Sequence, residues 1–198
     1  MPSDYKDTFL NAPSQVGLAE GIGDSRIFRD LEYAFCLQHI KEGSKILDVG
    51  SSQPWFLLEL ARRHCAVTTI DVNPEAMEIH RKFDVQCKRA SVTNLPFQKD
   101  EFSMALCIST MEHVHGDEDI QGMKEIRRVS PKLLLALPVG KADNWHPNDP
   151  DKERQYNMRL LKNRILKGWK VLRRAEIAVW DPNIPSWLSE NCFYLQRI

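Results

Sequence analysis

Short apolar runs alternate along the chain with segments in which apolar residues recur at helical spacing. A short apolar run predicts a buried strand, and apolar residues spaced three and four apart predict an amphipathic helix. The predicted strands cover residues 45–50, 66–71, 85–90, 102–109, 132–139, 169–179 and 192–198. The predicted helices cover residues 26–40, 55–64, 74–82, 117–129 and 156–167. Because strands that alternate with helices pair in parallel, we expect an α/β fold with a mostly parallel sheet and helices on both faces.

The domain organisation follows from the length and from the first residues. A chain of 198 residues is long enough for one domain with its own core. Residues 1–25 are rich in Gly, Pro, Ser and Asp and show no sustained period, so they are predicted to form an N-terminal arm. Residues 26–198 are predicted to form a single domain.

The charge balance argues against nucleic acid as a partner. Basic and acidic residues number 27 each, so the formal net charge is zero and no global attraction to nucleic acid is expected. One stretch, Lys152–Arg174, carries nine basic residues and one acid, and we call it the basic segment. A solvated helix face is its favoured interpretation. A surface for an anionic substrate or a membrane, and a surface for RNA, are the open alternatives.

Cysteine usage and hydropathy indicate the compartment. The five cysteines are scattered and include no C-x-x-C pair, so neither a zinc site nor a disulfide framework is predicted. We therefore expect no metal and a reducing, cytoplasmic location. The longest apolar run, Leu133–Val139, is far shorter than the span of about 20 residues that a membrane requires.

The first candidate binding site is the turn after the strand 45–50. Asp48 lies at the end of that buried strand, where a carboxylate is costly unless it binds something. Gly50 permits a positive φ and a close ligand approach, and Ser51 and Ser52 follow it. The next helix offers unpaired backbone N–H groups to a polar ligand. The alternative for Asp48 is a carboxylate that accepts hydrogen bonds from the turn.

The second candidate is Asp71, which ends the strand 66–71 and follows Gly50 by 21 residues. In nucleotide-binding folds, an acid at about this distance from a glycine turn hydrogen-bonds the ribose hydroxyls. The alternative is a helix N-cap, because Pro74 comes soon after. The spacing from Gly50 favours the ribose interpretation.

Three short motifs follow one another in order. They are D-V-G-S at 48–51, I-D-V-N-P at 70–74, and N-L-P-F at 94–97 before a strand that ends in S-T-M-E-H-V. With this order and spacing the chain resembles the class I S-adenosylmethionine-dependent methyltransferases, in particular their small-molecule, type 11-like group. The resemblance covers residues 45–139. It implies a Rossmann-like sheet of seven strands in the order 3-2-1-4-5-7-6, with the last strand antiparallel.

The resemblance also implies a role for each matching residue. Asp48 is expected near the amino group of the cofactor S-adenosyl-L-methionine, and Asp71 at its ribose hydroxyls. The methionine part is expected beside Gly50, Ser51, Ser52 and Ser109. The adenine is expected beside Val72, Ser91 and Val92.

Two departures from the family pattern bear on the cofactor. The usual G-x-G-x-G turn is replaced by residues 50–54, in which two of the glycines are missing. Ser91 stands where an Asp often binds the adenine amino group. Weaker cofactor binding than usual is expected, and a non-catalytic binding module of the same fold is one alternative function. The other is a nicotinamide-dependent oxidoreductase, although that class needs a G-x-G-x-x-G turn.

Methyl transfer needs little help from side chains, since alignment of the reacting atoms supplies much of the acceleration. His113, with Glu112 and His115 beside it, is the candidate proton acceptor because a histidine titrates near neutral pH. The alternative is that these residues orient the loop. The acceptor is expected to be a small molecule, with a sugar, a lipid and another metabolite all open. Candidates for substrate contact in the loop after the strand 132–139 are Trp145, His146 and Asp149. The alternative is an ordinary surface loop held by Pro147 and Pro150.

Overall fold

The computed structural model describes residues 25–50, 53–81, 85–140, 154–177 and 189–198. Several predicted features lie outside the described residues. They are nearly all of the N-terminal arm, the turn residues Ser51 and Ser52, and the loop residues Trp145, His146 and Asp149.

One sheet of seven strands organises the described part of the chain. The strands are β1 Lys45–Val49, β2 Ala66–Asp71, β3 Gln86–Arg89, β4 Met104–Ile108, β5 Lys132–Val139, β6 Trp169–Ile177 and β7 Ser189–Arg197. Their order is β3–β2–β1–β4–β5–β7–β6. The first five strands pair in parallel, whereas β7 runs antiparallel to both β5 and β6. The order and the single antiparallel strand confirm the predicted Rossmann-like α/β fold.

Helices connect the strands, as the periodicity predicts. The four longer helices among the described residues are α1 Ser25–His39, α2 Pro54–Arg62, α3 Pro74–Arg81 and α4 Glu118–Val129. Both α2 and α3 begin with a proline, where the missing backbone N–H costs no intrahelical hydrogen bond. A short 3-10 turn, Met111–His113, precedes α4.

The helix predicted over 156–167 is shorter and less regular than expected. α5 covers Met158–Leu160 and continues as a π-helical turn over Leu161–Ile165. Asn157 caps its start, because the side chain accepts hydrogen bonds from two backbone N–H groups of the first turn. Because of this cap, α5 begins later than the apolar periodicity alone predicts.

Apolar side chains form two cores, one on each face of the sheet. In β1, Leu47 packs in the core that contains α4, and Ile46 in the core that contains α1 and α2. Side chains alternate along a strand, so Asp48 lies on the same face as Ile46. Helices therefore cover both faces, as predicted.

All five cysteines are free thiols, and four of them are buried. Burial raises the pKa of the Cys36 and Cys192 thiols, so both stay protonated and pack as small apolar side chains. Across the described residues, none of the helices has the length and apolar character needed to cross a membrane.

The register of the parallel strands brings their carboxyl ends together. Val49 is level with Ile70 of β2 and with Cys107 of β4. The residues that follow these strands therefore meet at one edge of the sheet, which is where open α/β sheets bind ligands.

Candidate functional site

A cleft of about 400 Å³ opens at the carboxyl ends of β1, β2 and β4. Six of the nine residues predicted to bind the cofactor line it, namely Gly50, Asp71, Val72, Ser91, Val92 and Ser109. The other lining residues are Val49, Ile70, Ala90, Thr110, His113, Val114, His115 and Glu118. Residues far apart in sequence are thus collected in one cleft.

Gly50 closes the inner end of the cleft and needs to be a glycine. Its φ is +90°, and its backbone N–H continues the β1–β2 ladder by donating to the Ile70 carbonyl at 2.9 Å. A β-carbon there would lie 2.6 Å from Cγ2 and 2.9 Å from Cβ of Thr110. The positive φ agrees with the prediction. The obstacle to a side chain, however, is Thr110, which is not among the predicted site residues.

Asp71 ends β2 with its carboxylate at the cleft. Its Oδ1 accepts a hydrogen bond from the Asn73 backbone N–H at 2.7 Å. The Asn73 side chain in turn accepts from the backbone N–H of Glu75 at 2.9 Å and so caps α3. The alternative role of Asp71 as the helix cap is therefore filled by Asn73. Among the hydrogen bonds of the described residues, the Asp71 carboxylate accepts one at Oδ1 and none at Oδ2.

Val72, Ser91 and Val92 form the side of the cleft next to β2 and β3. Val72 is 62% exposed and Val92 is 8% exposed, so one apolar side chain stands at the opening and the other in the wall. The Ser91 hydroxyl lies 2.8 Å from the Thr93 hydroxyl and accepts from the Thr93 backbone N–H at 3.2 Å. The local turn thus already engages the hydroxyl that stands where the family often has a carboxylate.

Asp48 is placed differently from the other predicted cofactor residues. Its side chain is fully buried, on the α1 and α2 face, and it is not among the described residues that line the cleft. The strand alternation that puts Leu47 and Val49 in the α4 core turns Asp48 to the opposite face. Its role in cofactor binding stays a prediction.

Ser109 sits at the end of β4 in a strained conformation. Its φ is +44°, a region that non-glycine residues seldom occupy and that is often found at functional sites. Its hydroxyl donates to Oε1 of Glu32 in α1 at 3.0 Å. Arg29 pairs with the other oxygen of Glu32 at 2.7 Å. The end of β4 is thereby attached to α1.

Behind Ser109 lies a group of carboxyls, two of them buried and one half-buried, most of which no sequence motif indicates. Glu32 and Glu112 are 1% and 2% exposed, and Glu190 of β7 lies within hydrogen-bonding reach of Glu32. Burial raises the pKa of Glu32 and of Glu190, and the proximity of the two carboxyls raises that of Glu190 further. Only Glu112 had been singled out, because Glu32 and Glu190 lie in segments with no chemical motif.

His113 lines the opposite side of the cleft, together with His115 and Glu118. All three side chains are exposed, and they belong to the segment that leads from β4 into α4. A side chain there can reach a ligand in the cleft, so the location of His113 is compatible with its predicted role as a proton acceptor. The role itself stays a prediction.

Two comparisons with known sequences bear on this site. Residues 46–132 match a family model described as a methyltransferase domain. No curated protein sequence matches the chain.

Solved structures share the fold over most of the chain. One is a SAM-dependent methyltransferase from Methanosarcina mazei, with a TM-score of 0.66 at 18% identity, covering 83% of this chain and 97% of that one. Another is the 1,6-didemethyltoxoflavin-N1-methyltransferase of Burkholderia thailandensis, with a TM-score of 0.64 at 16% identity, covering 85% of this chain and 77% of that one. A third is the 4+2-cyclase SpnF, with a TM-score of 0.71 at 15% identity, covering 97% of this chain and 94% of that one. At these identities the likeness establishes the fold and leaves the reaction open.

Proposed function

We propose that the chain is a class I S-adenosylmethionine-dependent methyltransferase that methylates a small-molecule acceptor, because residues 46–132 match a methyltransferase-domain model and the fold agrees with that family. One observation carries the proposal. Six residues that the family pattern assigns to the cofactor line a single cleft at the carboxyl edge of the sheet. A volume of about 400 Å³ is within the range of about 300–1,000 Å³ that small-molecule sites occupy.

The side chains in the cleft suit S-adenosylmethionine chemically. The Asp71 carboxylate only accepts hydrogen bonds, and a ribose offers two hydroxyl donors. Val72 and Val92 offer an apolar surface for an adenine ring. Gly50 exposes backbone without a side chain, which allows the methionine part to approach.

The chemistry asks for positioning more than for acid or base catalysis. The cofactor supplies a methyl group on a positively charged sulfur, which a nucleophile can displace. The residues of the cleft have to hold the two reactants in line and exclude water. We assign His113 to receive the proton of an acceptor that must lose one.

A small molecule is the acceptor class that we propose. The zero net charge gives no general attraction to nucleic acid. Among the similar structures, the Burkholderia protein is a 1,6-didemethyltoxoflavin-N1-methyltransferase with 1,6-didemethyltoxoflavin and S-adenosylhomocysteine bound. Five free thiols support a reducing compartment, and we propose the cytoplasm.

Calorimetry with S-adenosylhomocysteine and with NAD tests the proposal. We expect S-adenosylhomocysteine to bind and NAD not to bind. Binding of NAD alone would support an oxidoreductase instead. The protein is then incubated with extracted metabolites and methyl-labelled S-adenosylmethionine, where we expect label in a small molecule. Cofactor binding without transfer to any metabolite pool would favour a non-catalytic module.

A further inference from the structure

The basic segment is the sequence feature that the proposed function leaves unused. Two of its arginines are not on a solvated helix face. The side chains of Arg154 and Arg164 are 11% and 16% exposed, and both pair with Asp119 of α4, whose side chain is fully buried. The favoured interpretation of the segment is therefore wrong for these two residues, and they are not available to an anionic substrate.

Asp119 is held by three side chains at once. Arg164 binds it with two hydrogen bonds, from Nη2 to Oδ1 at 2.6 Å and from Nε to Oδ2 at 2.9 Å. Oδ2 also lies 2.9 Å from the Tyr156 hydroxyl and 3.3 Å from Nη1 of Arg154. A two-pronged arginine–carboxylate pair of this kind fixes orientation as well as distance. We call Arg154, Tyr156, Arg164 and Asp119 the clamp.

The clamp also holds the backbone that precedes α4. Nη2 of Arg154 and Nη2 of Arg164 both donate to the Gly116 carbonyl, at 2.5 Å and 2.8 Å. The backbone N–H of Arg154 donates to the Glu112 carbonyl at 2.7 Å. The stretch from Glu112 to Asp119 is thus attached at several points to residues 154–164.

That same stretch forms one wall of the cleft. His113, Val114, His115 and Glu118 line the cleft, and the clamp grips the backbone between them at Gly116. We propose that Arg154 and Arg164 are positioning residues, which hold this wall in the place that cofactor binding requires. The inference rests on the proposed function, since it assumes that the cleft receives the cofactor.

A role in positioning fits the energetics of buried ion pairs better than a role in stability alone. The cost of removing two charges from water offsets much of the attraction within a buried ion pair. The best-attested role of such a pair is to fix the relative position of the elements that it joins. Apolar side chains already dock the segment, because Leu161 and Ile165 are fully buried in the α4 core. The ion pairs therefore fix the orientation of a segment that apolar packing already holds against α4.

The first test compares Arg164→Gln with Lys162→Ala. The control removes a positive charge from an exposed position on the same turn. Amide hydrogen exchange of residues 111–119 is measured in the ligand-free protein, and affinity for S-adenosylhomocysteine by calorimetry. We expect Arg164→Gln to speed exchange in this stretch and to weaken binding about three- to thirtyfold. We expect Lys162→Ala to change neither.

The second test guards against simple misfolding. Tyr156→Phe removes the hydroxyl contacts to Asp119 and to the Met111 carbonyl and keeps the buried ring, so the fold should persist. A smaller change in the same direction is expected. In the double variant Asp119→Asn, Arg164→Gln, the loss of affinity should be less than the sum of the two single losses, because the residues act as one unit.

The outcomes separate the two proposals. Exchange over 111–119 that is unchanged in Arg164→Gln overturns the clamp, whatever the affinity. Faster exchange with unchanged affinity would mean that the clamp holds the wall but that cofactor binding does not depend on it. That result also overturns the inference. If the unaltered protein does not bind S-adenosylhomocysteine, the proposed function fails, and the inference about the cofactor fails with it.

Discussion

The hydroxyl of Tyr33 accepts a hydrogen bond from the backbone N–H of Gln53 at 2.9 Å, so α1 is attached to the turn that follows β1. The ring is buried and stacks on Phe56 of α2, with centroids 4.1 Å apart. Burial raises the pKa of Tyr33, so the phenol is neutral. In a turn that lacks two of the usual glycines, this contact gives the backbone a fixed point on a neighbouring helix.

Tyr33→Phe should therefore weaken cofactor binding. The substitution keeps the stacked ring but leaves the Gln53 N–H without its acceptor, which costs about 1–3 kcal/mol if water cannot replace it. We expect a lower melting temperature and weaker calorimetric binding of S-adenosylhomocysteine. Tyr194→Phe, on β7, is the matched control and should bind normally. Normal binding by Tyr33→Phe would mean that α1 does not set the position of the turn.

Gly50→Ala should destabilise the protein more than an ordinary glycine replacement. The positive φ costs a side chain about 1–2 kcal/mol, and the overlap with Thr110 adds about 1–3 kcal/mol. Gly43→Ala separates the two effects, because Gly43 has a φ of +71° and its added β-carbon meets no described atom within 4 Å. Urea denaturation should give a larger loss for Gly50→Ala than for Gly43→Ala.

The contribution of Thr110 can be measured in the same assay. Thr110→Ala removes Oγ1 and Cγ2 and leaves only the β-carbon near the new methyl group. We expect Gly50→Ala to cost less in a Thr110→Ala background than in the unaltered protein. Equal costs in both backgrounds would show that Thr110 is not the obstacle.

The strands β4 and β5 in the middle of the sheet were predictable because they are nearly continuous apolar runs. The bounds of β2 and β5 agree with the predicted 66–71 and 132–139, and the turn residues Pro131 and Gly140 flank β5. The start of β7 was predicted three residues late. Ser189, Glu190 and Asn191 carry no apolar pattern. They extend as a strand because β5 pairs with all three and β6 pairs with Glu190 and Asn191 on the other side.

The site was predictable where local sequence determines it and not where tertiary packing does. Gly50 directly follows β1 and Asp71 is the last residue of β2, so the strand pattern alone puts both at the sheet edge. The burial of Asp48 depends on which face of β1 the helices α1 and α2 cover. The contact of Glu32 with Ser109 spans 77 residues, and no local pattern marks it.

Asp71→Ala should weaken S-adenosylhomocysteine binding by about 1.5–3 kcal/mol, the range for hydrogen bonds to a charged group. Asn73→Ala is its control, because Asn73 caps α3 and its loss should cost about 1 kcal/mol of stability without affecting binding. Calorimetry and thermal unfolding of both variants distinguish the roles. Unchanged affinity in folded Asp71→Ala would remove Asp71 from the cofactor site.

The Glu32 and Glu190 pair should make the protein less stable as the pH rises. Burial raises the pKa of both carboxyls, and the neighbouring Glu32 raises the pKa of Glu190 further. The folded state then holds a proton that the unfolded state has already released. The destabilisation is absent below the unfolded pKa of about 4.3 and grows as the pH rises toward the folded pKa.

Glu190→Gln should remove most of this pH dependence. The glutamine cannot ionise, and its amide can donate a hydrogen bond to the Glu32 carboxylate, so the variant should be more stable than the unaltered protein near pH 8 and similar near pH 4. Each unit by which the folded pKa exceeds the unfolded one corresponds to about 1.4 kcal/mol. Glu78→Gln, at an exposed position on α3, controls for the loss of one carboxyl. Denaturant unfolding across this pH range measures the effect. If the stability of Glu190→Gln falls with pH as steeply as that of the unaltered protein, the pH dependence comes from a group other than Glu190.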